Sequence, residues 1–115
     1  MDDYNRGGHS KYNMKVHIIF VTKYRKKLFK LDKLADDVKQ FLYDVTRKYE
    51  YTIIQMETDK DHVHILLEYS PKVSVSDIVK QLKQYSTYQM WKIHGDYLSK
   101  QYWKHHILWS DGYFA

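Results

Sequence analysis

The run HVHILLEY at 62–69 constrains the fold more than any other part of this chain. On a strand, residues two apart project to the same side, so Val63, Ile65 and Leu67 share one face and His62, His64 and Leu66 share the other. The face of Val, Ile and Leu needs to be covered by helices, which leaves both imidazoles on the opposite, open face. Just upstream lies a second strand candidate, TIIQMET at 52–58. The segment Asp59, Lys60, Asp61 and His62 between the two runs reads as a hairpin turn.

Other elements flank this hairpin. MKVHIIFVT at 14–22 is β-branched and aromatic-rich, and the basic cluster from Lys23 to Lys30 bounds it, as expected of a strand. Leu34, Val38, Phe41, Val45 and Tyr49 recur at helical steps with Asp36, Asp37, Lys39 and Lys48 between them, and Asp32 is placed to cap that helix. After Pro71, Ser74 and Asp77 resemble a capping box. Val75, Ile78, Val79, Leu82, Ser86 and Met90 then predict a second helix of about 20 residues ending near Gly95. Trp103, Ile107, Leu108 and Trp109 predict a short fourth strand before the turn Ser110, Asp111, Gly112. Residues 1–11 carry no periodic pattern and are expected to be a flexible arm, with the domain itself at 12–115. The order β-α-β-β-α-β is that of the α+β, ferredoxin-like split βαβ. It predicts an antiparallel or mixed sheet with both helices on one face.

Composition narrows the chemistry. With no cysteine, zinc ribbons, thiol catalysis and disulfide scaffolds are excluded. No apolar run approaches the roughly 18 residues of a membrane span, and the N-terminus lacks the apolar stretch of a secretory signal. A cytoplasmic chain with no membrane partner is expected. The net charge of +5 favours a polyanionic partner. The 12 tyrosines and 3 tryptophans suit stacking on unpaired bases, although such rings also serve core edges and dimer interfaces.

His62 and His64 are the candidate metal ligands. Their Cα atoms should lie about 6.5–7 Å apart, close enough for both rings to converge on one divalent ion. A bare His-x-His also occurs as two ordinary surface histidines. Asp59 and Asp61 either orient a histidine through its second ring nitrogen or are simply solvated hairpin residues. His17 is a neighbour of His64 or a satisfied strand histidine. Lys23, Arg25, Lys26 and Lys27, with Tyr24 for stacking, are the candidate DNA contacts, against the alternative of a solvated basic loop. Lys80, Lys83 and Lys92 are weaker candidates, and His105 and His106 have no informative partner spacing.

Three segments in order carry a resemblance to a family: KVHIIFVTKYRKKLF at 15–29, METDKDHVHILLEYSP at 56–71 and LWSDGYFA at 108–115. Together they resemble the HUH single-tyrosine transposases of small insertion sequences, IS200-like and REP-associated, over roughly residues 12–115. The resemblance implies a homodimer that binds single-stranded or hairpin DNA at element ends and cleaves one strand through a 5′-phosphotyrosine. It also implies a magnesium or manganese ion on His62 and His64. The family's nucleophilic tyrosine, with a third ligand one helical turn later, lies on a helix that would follow Ala115. The resemblance therefore implies a chain that binds DNA without cutting it. Tyr85, with Gln89 four residues on, is a poor substitute nucleophile, as is Tyr88, because their helix belongs on the sheet face away from the histidines. The main alternative function is a noncatalytic nucleic-acid binding module on the same ferredoxin-like fold, and a small metal-dependent hydrolase or a ligand-sensing dimer is a third that the fold alone leaves open. The nucleic-acid platforms, however, place aromatic rings where this chain places histidines.

Overall fold

The computed structural model describes residues 14–115, and the arm expected over residues 1–11 lies outside the described residues. Strands β1 (Met14–Val21), β2 (Tyr51–Thr58) and β3 (His62–Tyr69) form one sheet in the order β1-β3-β2. Both pairings are antiparallel, so the sheet has no parallel pair. Helices α1 (Asp32–Thr46) and α2 (Val75–Tyr102) cover one face. Directly paired residues share a side, so Phe20 with Val63, and Ile18 with Ile65, point toward the helices. All four are fully buried, together with Leu42, Ile78, Leu82 and Leu98 from the helices.

The helix ends depart from expectation in instructive ways. Asp32 does not cap α1; it is the first helical residue, with Leu31 at the cap, where its charge still meets the positive end of the helix dipole. Tyr49 falls beyond the helix and stacks on Tyr51 at 5.8 Å between ring centroids. Ser74 does cap α2, its Oγ accepting from the Asp77 amide at 3.1 Å. That helix runs past Gly95 to Tyr102, 28 residues in all, with a kink at His94 (φ −113°, ψ 26°). A mid-helix glycine costs only about 1 kcal/mol. Burial of Leu98 and Tyr102 beyond it supplies a reason for the helix to continue. At the kink, His94 Nε2 and Asp37 Oδ2 of α1 lie 2.7 Å apart and tie the two helices together.

The fourth strand expected across Trp103 to Trp109 is replaced by two isolated bridges to β1 and the residue after it, Trp109 with Thr22 and Phe114 with Ile19. The Ser110 amide donates to Val21 O at 2.8 Å and the Phe114 amide to Ile19 O at 3.2 Å. The tail takes four residue steps between these bonds where β1 takes two, so it bulges outward through Asp111 and Gly112 (φ 76°). A regular ladder cannot absorb that mismatch.

Side chains of α2 hold the bulged tail in place. Lys83 Nζ donates to the carbonyls of Ser110 (2.8 Å) and Gly112. Trp91 Nε1 donates to Ile107 O at 2.8 Å, and Trp109 Nε1 donates to Ser86 Oγ at 3.0 Å. Ser86 is fully buried. Ser86→Ala strands the buried indole N–H without an acceptor, so it should cost about 1–3 kcal/mol in urea denaturation. A loss within error would mean that this hydrogen bond does not anchor the tail.

Candidate functional site

On the open face of β3, the His62 and His64 rings lie with centroids 4.7 Å apart and planes tilted by 66°. The side chains have thus closed in from the Cα spacing that a strand imposes. Across the sheet, His64 pairs with Ile19 on β1 and with Glu57 on β2, while His62 pairs with Val21. His17 stands beside this pair, its ring 5.5 Å from that of His64, so the first strand does contribute a third imidazole to the same face.

The hairpin turn positions His62. Asp61 Oδ1 lies 2.8 Å from His62 Nδ1, a carboxylate acceptor that favours the tautomer with its proton on Nδ1 and its lone pair on Nε2. Asp59 Oδ2 lies 3.9 Å from that Nε2. Arg25 Nε donates to the other Asp61 oxygen at 3.2 Å. The hydrogen bond with His62, against partial burial and with help from Arg25, keeps the Asp61 carboxyl below its ordinary range and therefore charged. The backbone locks the turn as well, since the Thr22 amide donates to Asp61 O at 2.9 Å and Thr22 Oγ1 donates to Lys26 O at 2.7 Å.

The basic loop opens with a 3-10 turn, Lys23–Arg25, in which Tyr24 (φ 59°) and Arg25 (φ 52°) adopt left-handed backbone, and a second 3-10 turn, Leu28–Lys30, follows. Tyr24 and Lys27 are exposed, and Lys23 and Lys26 are half-buried. Lys80 and Lys92 are exposed on α2. Lys83 is not a free cation, because it is engaged with the tail carbonyls. Burial lowers its ammonium pKa, partly offset by Asp111.

Tyr85 packs edge-on against Phe41 of α1, and Tyr88 projects from the same helical layer, on the far side of the sheet from the imidazoles. Neither is near the histidine pair. A cleft beside His62 is instead lined by Arg25, Asp111, Tyr113 and Phe114, which brings tail residues to the site. Spacing along the chain carried no sign of this, since it depends on the bulge at Asp111 and Gly112. His106 stacks on Trp91 at 4.3 Å, and His105 borders a separate cleft near Tyr24.

Residues 10–115 match the family described as IS200-like transposases. The chain is also 32% identical, over its full 115 residues and 74% of the relative, to the transposase for insertion sequence element IS200 of Salmonella typhimurium. The chain belongs to the IS200-like transposase family. A second relative of this transposase, ISDra2 transposase TnpA of Deinococcus radiodurans, is 32% identical over 102 residues, covering 89% of the chain and 71% of the relative. A crystal structure of a transposase from Deinococcus radiodurans superposes with a TM-score of 0.80 at 30% identity, over 95% of this chain and 82% of that one. The fold also extends to a REP-associated tyrosine transposase bound to a REP hairpin. There the TM-score is 0.61 at 11% identity, over 90% of this chain and 55% of that one.

In this IS200-like transposase the Asp61 carboxylate should dictate the tautomer of His62. Long-range proton–nitrogen correlation spectra at about pH 8, where imidazole is neutral, should show His62 as the Nδ1–H form. Asp61→Ala should shift it toward Nε2–H. The same Nε2–H form in both proteins would remove the positioning role of Asp61.

Proposed function

We propose that this chain is the metal-binding and DNA-binding core of a single-stranded DNA transposase of the HUH kind. In this reading it engages hairpin-bearing element ends, and His62 and His64 hold a magnesium or manganese ion. The observation that carries it is the convergence of the two imidazoles on the open face beside a basic loop. The Asp59 carboxylate, 3.9 Å from His62 Nε2, is an oxygen donor of the kind such a hard ion prefers, whereas the two imidazoles supply nitrogen, so most of the ion's oxygen ligands would come from outside the pair. Among the described residues, no group of three or more His, Cys, Asp or Glu gathers to hold a metal. The protein would then supply two firm ligands, and oxygen from water or DNA the remainder. When bound, the ion would polarise the scissile phosphate and offset its developing charge.

Calorimetry tests the metal assignment. Manganese should bind weakly to the wild type and not at all to a His62→Ala, His64→Ala double variant. Undiminished binding in that variant would sink it.

Lys23, Arg25, Lys26 and Lys27 supply phosphate contacts in this reading, and Tyr24 a stacking ring. Arg25 has a second task, because it also braces Asp61. The hairpin bound by the REP-associated relative supports a hairpin as the DNA partner. Assembly as a homodimer belongs to the same reading, and β2, unpaired on its outer side among the described residues, offers an edge for backbone pairing. Strand cleavage is assigned to neither Tyr85 nor Tyr88, since both lie in the helical layer and a nucleophile must approach phosphorus to within about 3–3.5 Å.

The 115-residue polypeptide should therefore bind labelled hairpin DNA more tightly than plain duplex at matched salt. Affinity should fall by roughly 0.7 log units per tenfold salt for each single-strand phosphate neutralised. With manganese, a denaturing gel should show no protein-linked DNA. Equal affinity for duplex would count against hairpin recognition. A covalent adduct lost in Tyr85→Phe would place the nucleophile on α2, and one lost in Tyr113→Phe would place it in the tail.

A further inference from the structure

Among the described residues, three other than glycine have positive φ: Tyr24 (59°), Arg25 (52°) and Trp103 (57°). Two of them carry large rings that stand in solvent, Tyr24 at 70% and Trp103 at 77% exposed. Glycine takes such dihedrals without the steric cost that a side chain incurs. Neither ring recovers that cost by packing into the core. Backbone strain retained for an exposed ring points to work done outside the core.

The two rings come from opposite ends of the chain and meet at one place. Tyr102, the last residue of α2, donates its hydroxyl to Lys23 O at 2.9 Å, and its ring lies 6.3 Å from that of Tyr24. This tie brings the end of α2 against the turn after β1. The result is a cleft of about 600 Å³ lined by Lys23, Tyr24, Lys26, Tyr102, Trp103 and His105. That size is in the range of small-ligand sites. Lys23 Nζ sits 5.5 Å from the centre of the Tyr24 ring, and no Asp or Glu among the described residues lines the cleft.

We propose that Tyr24 and Trp103 form a stacking site for one unpaired nucleobase of single-stranded DNA, with Lys23 and Lys26 on the adjoining phosphates. Exposed aromatic faces flanked by cations match a strand that alternates flat bases with anions. The site is distinct from the histidine pair, yet the same three-residue turn serves both. Tyr24 faces the cleft, while Arg25 reaches Asp61 and through it His62. A base held at the cleft thereby fixes the strand next to the residues that brace the histidine. This inference rests on the single-stranded DNA reading above.

Tryptophan fluorescence tests it directly, because Trp103 is exposed whereas Trp91 and Trp109 are only 8% and 7% exposed. A short oligothymidylate should quench the Trp103 emission and shield it from acrylamide, and the same oligonucleotide with abasic residues should not. Trp103→Gly should abolish the quench and weaken binding by about 5- to 150-fold, the range for one stacked base. Because glycine suits the backbone there, its melting temperature should not fall. Tyr24→Phe should keep the affinity and Tyr24→Ala should lose it, which provides a second route if Trp103→Gly folds poorly. Oligothymidylate that binds without quenching Trp103, and equally well to Trp103→Gly and Tyr24→Ala, would overturn the stacking site and leave the DNA reading intact. Failure of both oligothymidylate and hairpin DNA to bind would overturn the two together. An equal quench by oligoglutamate would replace the base with an acidic protein partner.

Discussion

Strand β3 is paired on both edges, and its alternation decides where every other side chain in the sheet can go. A slip of one residue would carry Val63, Ile65 and Leu67, each fully buried, into solvent. At about 1.5–3 kcal/mol per side chain, that loss rivals the 5–15 kcal/mol that holds a typical domain together. The same slip would press His62 and His64 into the core without partners. The requirement that fixes the core thus also fixes both imidazoles on the open face, and no separate device is needed to present them.

Much of this was legible in the sequence, because strand and helix periodicity are local properties. The alternation at 62–69, the helical spacing through Leu34, Val38 and Val45, and the Ser74 cap each appear in the fold as expected. What escaped depends on contacts between distant segments. Gly95 reads as a helix end until Leu98 and Tyr102 are seen to be buried beyond it. The tail reads as a strand until its four steps are set against two on β1. Lys83 reads as a surface charge until the tail carbonyls close on it.

The candidate site divides along the same line. His62 and His64 could be named from spacing alone, and their side-by-side placement follows from one strand. The bracing of His62 by Asp61, and of Asp61 by Arg25, joins the hairpin turn to the loop after β1, residues 36 apart in sequence. Trp103 was visible only as an apolar residue of an expected strand. Its exposure and its place beside Tyr24 follow from the full length of α2 and from the Tyr102 hydroxyl on Lys23 O.

In the function proposed above, the open face of β3 would hold a divalent ion between two imidazoles. Manganese is paramagnetic and broadens nuclei near it, so substoichiometric addition during imidazole NMR locates the ion without reference to activity. The account predicts that the ring signals of His62 and His64 broaden first, ahead of His94, His105 and His106. Broadening that spares this pair, or that spreads evenly over all the histidines, would contradict it.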